Sequence, residues 1–105
     1  MVKTTSMRSR MKKTMSLQRL RSEVDRIDRR LAKLLNSRIR LCRRIGAFKA
    51  RNGKKIFDAT RERILLGKLI SLNKGPIEDS ELAGIYRVIL KTSRRHQRKL
   101  QRRRA

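Results

Sequence analysis

Tryptophan is absent from this chain, and one Tyr and two Phe are its only aromatic residues. Any core must therefore be aliphatic and knit from Leu and Ile, a composition that favours helices over a β-sandwich or barrel. A single cysteine, Cys42, excludes an internal disulfide, and with His96 as the lone histidine, distant in sequence, no Cys/His metal cluster can be assembled. A reducing compartment, the cytoplasm, suits such a chain. No apolar run approaches the length of a membrane span, and the N-terminal segment lacks the apolar centre of a secretory signal. Acids are scarce too: 8 Asp+Glu stand against 32 Lys+Arg, for a net charge of +24, so an anionic partner is the first expectation.

That excess is spread along the chain. Residues 1–16 hold five basic side chains and no acid, residues 98–105 hold five more and no acid, and residues 17–97 carry 22 cations with all 8 acids, a balance of +14. The expected layout is a basic disordered N-terminal tail over 1–16, a helical domain over 17–97 and a basic C-terminal tail over 98–105. The first segment also shares the acid-free, Ser/Thr-rich composition of organelle transit peptides, and Met7, Met11 and Met15 equally suit an over-long start; the tail is the preferred reading. At 105 residues the chain is one domain that buries a modest share of its surface alone, so help from a partner chain is expected.

What is present is a heptad pattern. Leu20, Val24, Ile27, Leu31, Leu34, Leu41, Ile45 and Phe48 alternate at spacings of three and four, with Arg38 the one polar seam position. Ser16 as N-cap and Asn52-Gly53 as the left-handed stop predict a helix from about Leu17 to Arg51. Such a helix is roughly 50 Å long, about twice the span of a compact domain of this size, so its seam must pack on another chain. Asp58 or Thr60 then caps a short second helix carrying Ile64, Leu65, Leu69, Ile70 and Leu72, which Asn73 to Pro76 ends. A third, medium helix opens with Glu78, Asp79 and Glu81 at its positive N-terminus and buries Leu82, Ile85, Tyr86, Ile89 and Leu90, its stripe continuing through Ser93 and Gln97 to Leu100. The fold class is all-α.

Polar residues at positions where the periodicity demands apolar ones are the informative ones, because burying them unpaired costs about 1–3 kcal/mol, and more for a charge. Arg38 breaks the seam, and Arg21 and Lys49 recur on a heptad edge beside it. Arg38 and Lys49 stand roughly 16 Å apart along the axis, within reach of two long side chains around a small ligand. Arg21 is roughly 25 Å from Arg38, so one ligand meets both only if Arg21 comes from an antiparallel second subunit. Ser93 and Gln97, four residues apart, are each able to donate into one cavity, or else to fray into solvent. Asp58, Arg61 and Glu62 read in isolation as a cap with surface ion pairs. Cys42 reads as a small core residue and His96 as a surface one. There is no Ser-His-Asp set, Gly-rich phosphate loop, metal-ligand spacing or paired-carboxylate motif, which argues against hydrolases, nucleotide enzymes and metalloenzymes.

Leu20 to Asp28, Leu34 to Arg38, Ile45 to Lys49, Asp58 to Arg63, and Ser93 with Gln97 together make the chain resemble the small, monofunctional, all-helical chorismate mutases over nearly all of residues 17–97. The resemblance implies an intertwined six-helix homodimer with two equivalent sites and no cofactor or metal. It assigns the substrate's carboxylates to Arg21 of one subunit and Arg38 of the other, with Arg61 in support and Ser93 adding a contact. It sets Lys49 and Gln97 against the ether oxygen of the breaking bond, and Glu62 with the backbone near Asp58 against the ring hydroxyl. It leaves the +24 unexplained; polyanion binding by the tails and outer helix faces is the expectation there. The competing readings are an isochorismate-pyruvate lyase of the same fold, a non-enzymatic basic dimer on nucleic acid, and a mutase attached to or activated by another enzyme of its pathway.

Overall fold

A computed structural model describes the backbone of residues 2–104 and the side chains of residues 16–99. Three helices, α1 (Val2–Arg51), α2 (Ala59–Leu72) and α3 (Asp79–Arg104), make up the chain, with no strand among the described residues. α1 begins at Val2, not at Leu17, and Ser16 lies inside it and caps nothing. Nothing between Val2 and Ser16 breaks a helix, since the stretch has no Pro or Gly and is rich in Lys, Arg and Met. α3 likewise continues to Arg104. The side chains of the two expected tails lie largely outside the described residues.

The helix ends follow from local chemistry. After Arg51 the Lys54 amide donates to the Lys49 carbonyl at 2.9 Å while Gly53 sits at φ +63, the left-handed C-terminal turn that Asn52-Gly53 predicts. Asp58 is the N-cap of α2, its carboxylate accepting from the Arg61 amide at 2.9 Å. Asn73 closes α2, accepts from the Gly75 amide and donates to Asp79, so one side chain shapes the whole turn into α3. Glu81 reaches back to the Glu78 amide at 3.0 Å, half of a capping box at the head of α3.

The chain divides into two compact units, Met1–Ser37 and Arg38–Ala105. In the first, every described seam residue is exposed: Leu17, Leu20, Val24, Ile27, Leu31 and Leu34. In the second, α2 packs on α3, and α1 approaches α3 at Gly46. A methyl group built on Gly46 would stand 2.7 Å from the Gln97 Cα and 2.8 Å from its carbonyl oxygen, so only glycine permits this contact. Its core is small, with Cys42 and Leu90 the buried hydrophobic residues among those described. Ile85, expected inside α3, is exposed, as is Ile64 of α2.

Candidate active site

Ser93 and Gln97 are 3% and 8% exposed, so the second unit buries as many polar as apolar side chains among the described residues. Each accepts a hydrogen bond from a cation of α1. The Arg38 guanidinium donates to the Ser93 hydroxyl and makes a longer contact, 3.7 Å, with Cys42 Sγ. The Ser93 hydroxyl in turn donates to the Ile89 carbonyl at 2.8 Å. The expectation that Ser93 donates into the cavity is therefore corrected: its hydrogen is spent inside its own helix and its lone pair anchors Arg38. One turn on, Lys49 Nζ donates to Gln97 Oε1 at 3.2 Å and to the Ile56 carbonyl at 2.8 Å. This occupies two of the three ammonium protons, and it leaves the Gln97 amide NH2 as the donor that residue can offer a ligand.

These groups surround a cavity of about 240 Å³ lined by Arg38, Lys49, Asp58, Arg61, Glu62, Arg94, Ser93 and Gln97, with Cys42, Ile45, Ile56, Leu65 and Leu90 as its apolar wall. Arg38 and Lys49, three turns apart on α1, thus reach one space. Arg21 does not line it and is exposed on the first unit. A broader, open groove of about 820 Å³ runs over Leu41, Ile45 and Phe48 and shares Ile45, Lys49 and Asp58 with the smaller cavity. It is the larger, but its floor is the exposed seam; the convergent polar groups lie in the small one.

Four cations and two carboxylates line the cavity. Glu62 is neutralised by Arg94, whose Nη1 lies 2.6 Å from each carboxylate oxygen. Arg94 also lies over the Phe57 ring, its Cζ 5.1 Å from the centroid, a cation–π contact. Asp58 spends its carboxylate on the α2 N-terminus. Arg38, Lys49 and Arg61 remain without a carboxylate partner in the cavity, an arrangement suited to a small dianion. Arg94 was not foreseen, because in sequence it is one of many arginines of α3; its place beside the inward Ser93 is the one signal that marks it. No group of three or more His, Cys, Asp and Glu able to hold a metal occurs among the described residues.

Residues 20–98 match the family described as chorismate mutase type II. The chain belongs to this family. Relatives of this chorismate mutase domain include the bifunctional chorismate mutase/prephenate dehydratase of Aquifex aeolicus (strain VF5), 40% identical over 78 residues, which are 70% of this chain and 22% of that protein. The protein of the same description from Buchnera aphidicola subsp. Schizaphis graminum (strain Sg) is 35% identical over 81 residues, 76% of this chain and 21% of its own length. That from Stutzerimonas stutzeri is 30% identical over 79 residues, 70% and 22% of the two chains. The chain thus spans about a fifth of the length of the curated relatives it matches. The chorismate mutase match ends at residue 98, one past Gln97, so it covers all eight residues singled out from the sequence.

Proposed function

We propose that the chain converts chorismate to prephenate in the cavity between α1, α2 and α3 of its second unit. One observation carries the reading: seven residues assigned by resemblance, Arg38, Lys49, Asp58, Arg61, Glu62, Ser93 and Gln97, line a single cavity of about 240 Å³. The reaction breaks the ether C–O bond and forms a C–C bond within one molecule, so it requires no nucleophile, metal or proton transfer. Its barrier falls when the substrate is held in the compact reactive conformer and when charge growing on the ether oxygen meets preorganised donors. Lys49, with one ammonium proton still unspent, and the Gln97 amide supply two such donors from facing helices. Arg38, braced by Ser93, holds a carboxylate, and Arg61 stands at the rim. Glu62, pinned by Arg94, accepts from the ring hydroxyl.

The second carboxylate calls for Arg21, and this requires a second copy of the chain. The seam supports that requirement. Leu17, Leu20, Val24, Ile27, Leu31, Leu34, Leu41, Ile45 and Phe48 are all exposed, and an apolar stripe of that length is left uncovered only where a partner helix packs on it. The reading is therefore an intertwined homodimer with two equivalent sites, acting in the cytoplasm in aromatic amino acid biosynthesis. No described helix is long and apolar enough to cross a membrane.

Spectrophotometric loss of chorismate, with prephenate identified as the product, tests the activity on the purified chain. Release of pyruvate from isochorismate with chorismate left untouched would instead make it the lyase of the same fold. Independently of the reaction, the charge supports a second partner, a polyanion held on the outer helix faces.

A further inference from the structure

The cations of this chain are segregated from its acids. Residues 29–57 carry eleven Lys and Arg and no acid, and residues 82–105 carry nine and no acid. Among the described residues one ion pair forms, Arg94 with Glu62. Neither the cavity nor that pair employs the remaining cations of α3.

Four of them form a ridge. Arg87, Lys91, Arg95 and Arg98 follow one another at intervals of four, four and three residues, and all are exposed. With about 100° of rotation per residue they fall within an arc of about 80°, and with 1.5 Å of rise they extend over about 16 Å. The cavity-facing residues Leu90, Ser93 and Gln97 occupy a different side of the same helix, where they are buried. Arg43 of α1 adds to the basic surface, its Nε donating to His96 Nδ1 at 3.2 Å. Burial first, and then the charges of Arg43, Lys99 and Arg95, hold the His96 pKa below its usual value of 6.5, as expected in a locally positive field.

We propose that the Arg87–Lys91–Arg95–Arg98 ridge of α3 binds the phosphodiester backbone of a nucleic acid duplex without reading its sequence. A strand of duplex presents one phosphate per about 3.4 Å of axis, so the ridge spans about five phosphates with four cations, nearly one for each. A membrane surface fits less well. A helix lying in the interface needs a long free apolar face beside its cationic one, whereas α3 leaves two large apolar residues exposed among those described, Ile85 and Val88, and turns Leu90 into the core. Single strands fit less well too, because stacking platforms need exposed aromatics interleaved with the cations and Tyr86, half-buried, is the one aromatic residue of α3.

The test is fluorescence anisotropy of the full chain with a labelled random-sequence DNA duplex over a series of salt concentrations. It compares the wild type with the variant Arg87→Gln/Lys91→Gln/Arg95→Gln/Arg98→Gln and with a charge-matched control, Arg19→Gln/Arg26→Gln/Arg30→Gln/Lys33→Gln. Circular dichroism establishes that each variant keeps its helicity. The α3 variant is expected to lower the slope of log K against log salt by about 3 to 4, at about 0.9 per phosphate contact, and the control by less than half as much. Equal losses in the two variants would reduce the binding to net charge and overturn the ridge, as would wild-type affinity in the α3 variant. Binding to phosphatidylserine vesicles tighter than to duplex at the same salt would replace the nucleic acid with a lipid surface. The single histidine offers an independent signal: the His96 ring resonance should shift when duplex is added to the wild type and stay in place in the α3 variant.

Discussion

The two units of the chain invert the usual rule of burial in opposite ways. In Met1–Ser37 the apolar residues are outside, with Ile27 60% and Leu34 67% exposed, and no described side chain is buried. In Arg38–Ala105 polar residues are inside, with Ser93 and Gln97 more deeply enclosed than most of the leucines. Each inversion costs free energy unless a partner offsets it, and the kind of partner differs. Exposed leucines in heptad register suit another helix; Ser93 and Gln97 are paired with Arg38 and Lys49, and those cations, without a carboxylate partner in the cavity, suit a small anion. The two proposed partners, a second copy of the chain and a small dianion, answer these two inversions separately.

The largest effect should come from closing off the first partner. Ile27→Asp with Leu31→Asp places two carboxylates in the proposed seam, each costing about 3–5 kcal/mol if buried unpaired, and the sum rivals the about 8 kcal/mol of a micromolar association. Sedimentation should show a monomer, and chorismate turnover should fall to background because Arg21 no longer reaches a site. A dimer that persists with full activity would break the comparison on its first side. On the other side, Lys49→Ala should lower kcat by about 10²–10³ with little change in KM, the signature of a donor used mainly in the transition state. Arg38→Ala should raise KM as well as lower kcat. Near wild-type kinetics in either variant would remove these residues from the chemistry.

The contrast also separates what the sequence states from what it conceals. Helix number, an α2 cap at Asp58 or Thr60 and the Gly53 stop were legible because each depends on a few neighbouring residues with strong local preferences, and the structure selects Asp58 as the cap. Of the inward polar set, Arg38, Ser93 and Gln97 were legible because each stands where the periodicity demands an apolar residue, whereas Asp58, Arg61 and Glu62 read in isolation as a cap with surface ion pairs and entered through the resemblance. The start of α1 was not legible, since a plausible cap at Ser16 cannot end a helix whose upstream residues favour helix equally. Nor was the direction of the Ser93 hydrogen bond, which rests on the carbonyl four residues back and on an arginine 55 positions away. Gly46 and Arg94 act entirely through such distant contacts: one admits the backbone of Gln97, the other grips Glu62.

Those two residues sharpen the comparison at intermediate scale. Gly46→Ala must push α3 away from α1, since the obstruction is backbone and not a flexible side-chain end. Overpacking of this kind costs about 1–3 kcal/mol, so the melting temperature should fall and kcat with it, as Gln97 leaves Lys49. An unchanged melting temperature would mean that the helices are not so closely set. Arg94→Leu should cost about tenfold in kcat/KM, about 1.4 kcal/mol, by freeing a partly buried Glu62. A purely structural role would shift stability alone. A positioning role predicts that kcat/KM falls while the melting temperature holds and that Arg94→Lys restores part of the loss.

The smallest effect belongs to His96, which stands outside the cavity. Burial and the cations Arg43, Lys99 and Arg95 depress its pKa in the folded state, so the unfolded chain binds this proton more readily. As pH falls below about 6.5, the ordinary value, the unfolded state gains protons first and the folded state loses relative stability; as pH rises above that value the penalty vanishes. The melting temperature at pH 5.5 should therefore lie slightly below that at pH 7.5 from this source, and His96→Gln should narrow the gap. Because Arg43 donates to the Nδ1 lone pair, protonation also breaks the one hydrogen bond that links His96 to α1. A gap that is unchanged in His96→Gln would remove His96 as its source.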